Sequence, residues 1–195
     1  MTLETLSLFF ALLAIAATAA TIGIVGIGLA GTTRVGAPLR HTVFSAFQGL
    51  ELWLAFAVAA TATLASLYLS EVAHLIPCTL CWYQRIAMYP LAVILLIAAI
   101  RADHRIRIYA ATLATIGAGI SLYHRFIQAF PDLEGGTSCD PNAPCTAAYV
   151  EIFEFITIPT MALSGFLFIL ALLWLDRFNT PADPPSLTAN EPEKP

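Results

Sequence analysis

Four cysteines are the residues of this chain whose type and spacing could support chemistry. They form two pairs along the sequence, Cys78 with Cys81 and Cys139 with Cys145. A Cys-x-x-Cys pair occurs in redox sites, in zinc half-sites and in static disulfides. The spacing alone therefore leaves thiol–disulfide exchange, metal binding and simple cross-linking open.

The first pair lies where an apolar segment begins. Cys78 follows Pro77, and Cys81 leads directly into that segment, so we expect both thiols at a helix N-terminus. Free backbone amides and the partial positive charge at such an end lower the pKa of a cysteine. Arg85 lies four residues beyond Cys81, on the same helix face. This alignment favours a functional role for Arg85, as a positive charge beside the thiols, over simple snorkelling of its side chain to the headgroups.

The second pair lies in residues 135–145, a run of turn-forming residues without an apolar face. This composition predicts a mobile, exposed loop whose disulfide another protein's thiolate could reach. Residues 149–155 combine aromatic, apolar and acidic side chains. They predict either a short interfacial helix or the first turns of the next membrane span, and the pattern does not choose between the two.

Zinc is the main alternative for the first pair. A structural zinc site needs four converging ligands, but 57 residues and two membrane spans separate Cys81 from Cys139. We therefore predict no metal site. Structural disulfides in a non-catalytic membrane anchor or assembly protein are the alternative function.

Membrane helices must position these cysteines. Hydrophobic residues make up 58% of the chain and charged residues 11%, with a mean hydropathy of +0.79. The net charge of −4, without a basic stripe, argues against nucleic-acid binding. Five segments are long enough to cross a bilayer, which predicts an all-α polytopic bundle with spans at residues 6–30, 52–69, 86–100, 108–127 and 156–175. The second span could begin earlier, through residues 43–50, and Glu51 is expected at its edge.

The basic residues predict the orientation of the spans, because short cytoplasmic loops collect lysine and arginine. Seven of the nine lie in the first and third connections and after the last span: Arg34, Arg40, Arg101, Arg105, Arg107, Arg177 and Lys194. The N-terminus and both cysteine loops are then outside the cytoplasm, where disulfides persist.

Three sequence motifs resemble the DsbB family, notably its shorter BdbC-like branch. They are PCTLCWYQRI at residues 77–86, YHRFIQ at 123–128 and FITIP at 155–159. The similarity extends over about residues 52 to 176. The resemblance implies a quinone-linked thiol oxidase of the bacterial inner membrane, which reoxidises a DsbA-like thioredoxin-fold protein and uses ubiquinone or menaquinone.

The resemblance also implies roles for seven residues. Cys139 and Cys145 match the pair that faces the partner protein. The resemblance leaves open which of the two meets the partner; we favour Cys139, with Cys145 exchanging toward Cys78. Cys78 and Cys81 match the pair nearest the quinone, with the Cys81 thiolate facing it. The residues matched to the surroundings of the quinone head are Arg85, His124 and Gln128. A quinone reductase of the vitamin K epoxide reductase kind is disfavoured, because the Cys-x-x-Cys precedes the third span.

Three regions follow from this comparison. Residues 1–42 are predicted to form an extra N-terminal span with its cytoplasmic loop; the long apolar run and acidic start favour a retained span over a cleaved signal. Residues 43–177 are predicted to form the DsbB-like four-helix domain, and residues 178–195 a disordered cytoplasmic tail. Glycines 23, 26 and 28 are expected to allow close helix packing.

Overall fold

The computed structural model describes residues 3–33, 36–133, 139, 143–153 and 155–179. Short 3₁₀ turns lie on either side of the fifth helix. The six α-helices of the described residues are α1 Leu3–Ala30, α2 Ala37–Ala46, α3 Glu51–Glu71, α4 Thr79–Arg101, α5 Arg107–Ala129 and α6 Ile158–Asn179.

Five of these helices, all except α2, are long and apolar enough to cross a membrane. The prediction of an all-α polytopic bundle with five spans is therefore confirmed, and the chain is a multi-pass membrane protein. The second span does not begin within residues 43–50, because α2 is a separate helix. The third span is longer than predicted, since α4 already begins at Thr79. Cys78 caps the N-terminus of α4, so the more polar residues that precede the apolar run also adopt a helical backbone.

The core of the bundle lies around α6, which packs against α1, α3 and α5, while α4 packs against α3 and α5. Small residues let these helices approach closely. Ala55, Ala59 and Ala114 are completely buried. At Gly117 an added Cβ would lie 2.3 Å from the ring of Phe166. Close α5–α6 packing therefore depends on a residue without a side chain.

The extra helix α1 packs along α6. At Gly28 an added Cβ would lie 2.0 Å from Cη2 of Trp174, so the expectation of close packing is met there. It is wrong for Gly23 and Gly26, which have no neighbour within 4 Å of such a Cβ. Among these three glycines, only Gly28 therefore lies at a close contact between α1 and α6.

Buried carboxylates lie at the end of the bundle opposite the cysteines. Asp176, 1% exposed, accepts a 2.9 Å hydrogen bond from Nη1 of Arg107, and its other oxygen lies 2.7 Å from Nδ1 of His104. Glu51 is also buried and accepts a hydrogen bond from Asn179, a contact that the sequence pattern did not predict. Such partners offset the cost of removing carboxylates from water.

A short antiparallel hairpin precedes α6. Its strands, β1 Glu151–Ile152 and β2 Ile156–Thr157, pair directly. Both interpretations of residues 149–155, an interfacial helix and the first turns of the last span, are therefore wrong. The β-branched residues of the two strands favour extended backbone, and Phe153 in the turn has a positive φ of 54°.

The predicted division into three regions remains a prediction. The proposed boundary between residues 42 and 43 falls inside α2. Arg34, Lys194 and residues 180–195 of the tail lie outside the described residues.

Candidate functional site

Cys78 is the N-cap residue of α4. Its backbone is extended, and its sulfur accepts a 3.3 Å hydrogen bond from the amide of Cys81. The predicted position of the first pair at a helix N-terminus is therefore correct. Cys78 is only 2% exposed, whereas Cys81 is partly exposed.

The two thiols of the first pair interact directly. Their sulfur atoms lie 2.8 Å apart and share a hydrogen bond. This bond lowers the pKa of Cys78 most, burial raises it in part, and His124 lowers it further, so that the pKa falls from 9.0 to about 4. This shift favours the thiolate form of Cys78, the form that attacks disulfides.

His124 connects the two cysteine pairs. Its Nε2 lies 3.7 Å from the sulfur of Cys78 and 3.0 Å from the carbonyl oxygen of Cys145, and its Nδ1 lies 3.3 Å from Nε2 of Gln84. A thiolate and a carbonyl can only accept hydrogen bonds, so Nε2 of His124 carries the proton. Nδ1 then accepts a hydrogen bond from the Gln84 amide. Gln84 thus fixes the tautomer that directs a proton toward Cys78.

The second pair is joined as a disulfide, with Cys145 completely buried and Cys139 partly exposed. Cys145 packs in one apolar cluster with Cys78, Leu80 and Ile127. The prediction of an exposed pair is therefore wrong for Cys145, because this residue packs in the buried cluster at the start of α4. Residues 134–138 and 140–142 of this loop lie outside the described residues.

Gln128 holds the segment that follows Cys145. Its amide donates a 3.3 Å hydrogen bond to the carbonyl of Ala147, and its carbonyl accepts a 2.9 Å hydrogen bond from the hydroxyl of Thr157. The side chain thereby ties α5 to the loop and to β2. With Cys78, Cys81 and His124 it also lines a small recess of about 10 Å³.

Arg85 is directed toward α3. Its Nε and Nη2 donate to the hydroxyl and carbonyl of Ser66, at 2.9 and 3.1 Å, and Tyr89 donates to the same hydroxyl. The guanidinium also lies 5.1 Å from the ring centre of Trp82. These contacts hold the guanidinium of Arg85 near the first pair. Among the described residues it forms no ion pair.

A cavity of about 520 Å³ begins at this charge. Its polar end includes Cys81, Gln84 and Arg85, and its walls are mostly apolar residues of α1, α3 and α6. Cys78, His124 and Gln128 are not among the lining residues. The structure thus separates the predicted site residues into two groups. Cys81 and Arg85 face the large cavity, whereas Cys78, His124 and Gln128 lie beside the second pair.

The ligand atoms of Cys78, Cys81 and His124 all lie within 4.8 Å of one another. Two thiols and an imidazole at this spacing could hold a thiophilic metal ion. Histidine joins the cysteines here from another helix, a convergence that the sequence spacing did not reveal.

Sequence reasoning missed two residues of the site. Gln84, 6% exposed, orients His124, and Ser66 accepts hydrogen bonds from Arg85. A buried polar residue on an apolar helix is itself a sign of function. This signal was present at Gln84, because the glutamine lies within an apolar span.

Comparison with known proteins agrees with this geometry. The family model described as "Disulfide bond formation protein DsbB" matches residues 48–175. "Disulfide bond formation protein C" of Bacillus subtilis is 45% identical over 124 residues, which cover 64% of this chain and 90% of that protein. "Probable disulfide formation protein" of Coxiella burnetii is 40% identical over 142 residues, covering 69% of this chain and 96% of that protein.

No solved structure matches the chain. The matched segment of the family model includes both cysteine pairs, Arg85, His124 and Gln128, and begins after α1 and α2. The chain therefore belongs to the DsbB family of disulfide bond formation proteins.

Proposed function

We propose that this disulfide oxidoreductase oxidises an extracytoplasmic DsbA-like thioredoxin-fold protein and transfers the electrons to a membrane quinone. One observation carries the proposal. Cys78 lies in one buried cluster with Cys145, its sulfur contacts that of Cys81, and Cys81 lines the large cavity. This arrangement supports an electron route from the second pair through the first pair to the cavity.

The route begins at Cys139, the more accessible sulfur of the second pair. A thiolate of the partner attacks this sulfur, the Cys139–Cys145 bond breaks, and Cys145 leaves as a thiolate. The partner's second thiol then releases Cys139 and closes the partner's disulfide. Two electrons and two protons have passed from the partner to Cys139 and Cys145.

The second exchange takes place at the start of α4. With Cys78 and Cys81 oxidised, the Cys145 thiolate attacks the sulfur of Cys78, and Cys81 leaves as a thiolate at the cavity. Cys139 then closes onto Cys145 and releases Cys78 as a thiolate. The low pKa of Cys78 makes it a good leaving group in this step, because a thiolate of low pKa leaves faster.

His124 and Gln84 support this exchange. The Nε2 proton of His124 is shared by the Cys145 carbonyl and the Cys78 sulfur, so it stabilises negative charge on Cys78 whenever that sulfur is released. Gln84 keeps the proton on this nitrogen. We assign His124 and Gln128 to the exchange between the pairs, with Gln128 holding the loop, rather than to contact with the quinone head.

The residues at the end of the cavity fit a quinone head. Arg85 offers donors and a positive charge, Cys81 offers its sulfur, and most of the remaining walls are apolar, as a lipid-soluble ring requires. A quinone held there would accept two electrons and two protons and leave as a quinol. Arg85 would stabilise the Cys81 thiolate before electron transfer, while its hydrogen bonds to Ser66 keep it in place.

We infer that the cysteine end faces outward from a bacterial inner membrane. Among the described residues, Arg101, Arg105, Arg107 and Arg177 lie at the opposite end of the bundle, near Asp176. The excess of arginine at that end supports a cytoplasmic position for it. The N-terminus would then be outside and the C-terminus inside.

The experiment is a quinone reduction assay with purified full-length protein and a reduced thioredoxin-fold substrate. We expect the wild type to form quinol, and we expect Cys81→Ser to form none while keeping its helical content. A wild type that reduces no quinone would contradict the proposal and favour the membrane anchor with structural disulfides.

A second measurement tests the metal alternative that the Cys78, Cys81 and His124 cluster raises. Elemental analysis of the same preparation should find less than one metal ion per chain. A stoichiometric metal ion that is lost in His124→Ala would instead assign the cluster to metal binding.

A further inference from the structure

The cavity extends far beyond the space that a quinone ring needs. Its volume is about 520 Å³, whereas a cavity of about 150 Å³ suffices for a benzene ring. Lining residues on α3 run from Leu54 to Leu69, a distance of about 22 Å along the helix axis. The cavity is therefore an elongated cleft with Cys81, Gln84 and Arg85 at one end.

The lining residues of α3 recur at helical spacing and form one continuous stripe. They include Leu54, Ala57, Val58, Thr61, Ala62 and Ala65. On the facing side, α1 contributes residues from Phe10 to Ala20, which extend over about 15 Å. Four of these α1 residues are alanines, namely Ala14, Ala16, Ala17 and Ala20. Short side chains on both walls leave the space between α1 and α3 open.

The packing of α1 explains how this space arises. Near its C-terminal end α1 approaches α6 closely at Gly28, against Trp174. The helix packs along α6, whereas α3 packs against α4 and α6, so the cleft lies between α1 and α3. Because the family match begins at residue 48, this wall is an addition to the family domain.

We propose that α1 and the α3 stripe form a binding cleft for the isoprenoid tail of the membrane quinone, an inference that rests on the proposed function. The length, the apolar walls and the continuity with the Cys81–Arg85 end fit a linear hydrocarbon attached to a ring at that end. The extra helix thus converts an open groove of the four-helix domain into a site that selects quinones by their tails.

The test compares one quinone ring with a long isoprenoid tail and the same ring with a methyl group in its place. In Ala17→Phe the new ring fills the cleft. We expect the ratio of KM for the tailed quinone to KM for the tail-less quinone to rise about tenfold or more, the scale of steric discrimination in apolar pockets. Ala19→Phe is the matched control, because Ala19 is exposed and does not line the cleft.

A second pair of variants tests the opposite wall, and it also serves if Ala17→Phe is not recovered in folded form. Ala57→Phe should raise the same ratio, and Leu64→Phe, at an exposed position outside the cleft, should not. Equal ratios in the cleft variants and their controls would overturn the proposal, including the case in which a phospholipid chain occupies the cleft. If the wild type reduces neither quinone, the proposed function itself fails.

Discussion

Both ends of the helical bundle bury ionisable groups, but they hold them in different ways. At the basic end, Asp176 is fixed between His104 and Arg107. At the cysteine end, the sulfur of Cys78 contacts the sulfur of Cys81 and Nε2 of His124. The same Nε2 also contacts the carbonyl oxygen of Cys145, which belongs to the disulfide. Burial with fixed charge partners stabilises a helix junction, whereas burial beside exchangeable sulfur and protons creates a reactive site.

Cys145→Ser should have the largest effect on activity. Oxidation of the thioredoxin-fold substrate should fall by about 10³-fold or more, because groups that act as one catalytic unit fail together. Stopped-flow measurement of substrate oxidation checks this expectation. Reduction of the Cys78–Cys81 disulfide by a small dithiol should continue in the variant. Normal substrate oxidation without Cys145 would contradict the proposed route.

Asp176→Ala should have the largest effect on stability. The variant removes the carboxylate that contacts His104 and Arg107, both of which are partly exposed. We expect a loss of about 1.5–3 kcal/mol in the free energy of unfolding, the scale of hydrogen bonds to charged groups. Arg177→Ala, at the exposed neighbouring position, should change it by about 0.5 kcal/mol or less. Denaturant titration in detergent compares the two variants. A strong loss of quinone reduction by the folded fraction of Asp176→Ala would contradict the separation of the two ends.

His124→Ala should slow turnover without unfolding the bundle. Removing the proton donor shared by Cys78 and Cys145 should lower kcat by about 10²-fold, the usual scale for a positioned proton-transfer group. Steady-state assays with saturating quinone measure the effect. An increase in the quinone KM with an unchanged kcat would instead place His124 at the quinone head, as the family resemblance implied.

Gln84→Leu should have a smaller effect of the same kind. The variant keeps a side chain of similar size but loses the donor to Nδ1 of His124, so the imidazole can adopt the unproductive tautomer. We expect kcat to fall by about tenfold, with a steeper pH dependence than in the wild type. Gln84→Glu, which accepts rather than donates when ionised, should not restore the activity. Full activity in Gln84→Leu would contradict a positioning role for Gln84.

The smallest change is expected when the reduced protein is titrated between pH 8 and pH 6. With Cys139 and Cys145 replaced by serine, the thiolate absorbance of Cys78 should stay constant in this range and fall only near its pKa of about 4. The folded pKa lies below the unfolded value of 9.0, so the stability of the reduced form should rise with pH between these values and be lost as pH falls toward 4. His124→Ala should move the midpoint upward. A midpoint near 9 in the unmodified pair would contradict a stabilised thiolate.

The sequence predicted the five spans, because apolar runs of membrane length have few other structures available to them. It also predicted the helix N-terminus at Cys78, since Pro77 and the following apolar run mark that boundary locally. The hairpin before α6 escaped prediction, because two-residue strands leave no periodicity and their pairing depends on contacts with Gln128 and the core.

The order of amino acids already identifies the residues that can react: two cysteine pairs, an arginine on the face of the first pair, and a membrane setting. Their arrangement arises only when the helices pack, which places Cys145 in one cluster with Cys78, His124 between the pairs and Cys81 at the cavity. The two kinds of information differ in their range along the chain. Hydropathy and helix ends are encoded by neighbouring residues, whereas contacts between α4, α5 and the loop form only when distant segments pack together.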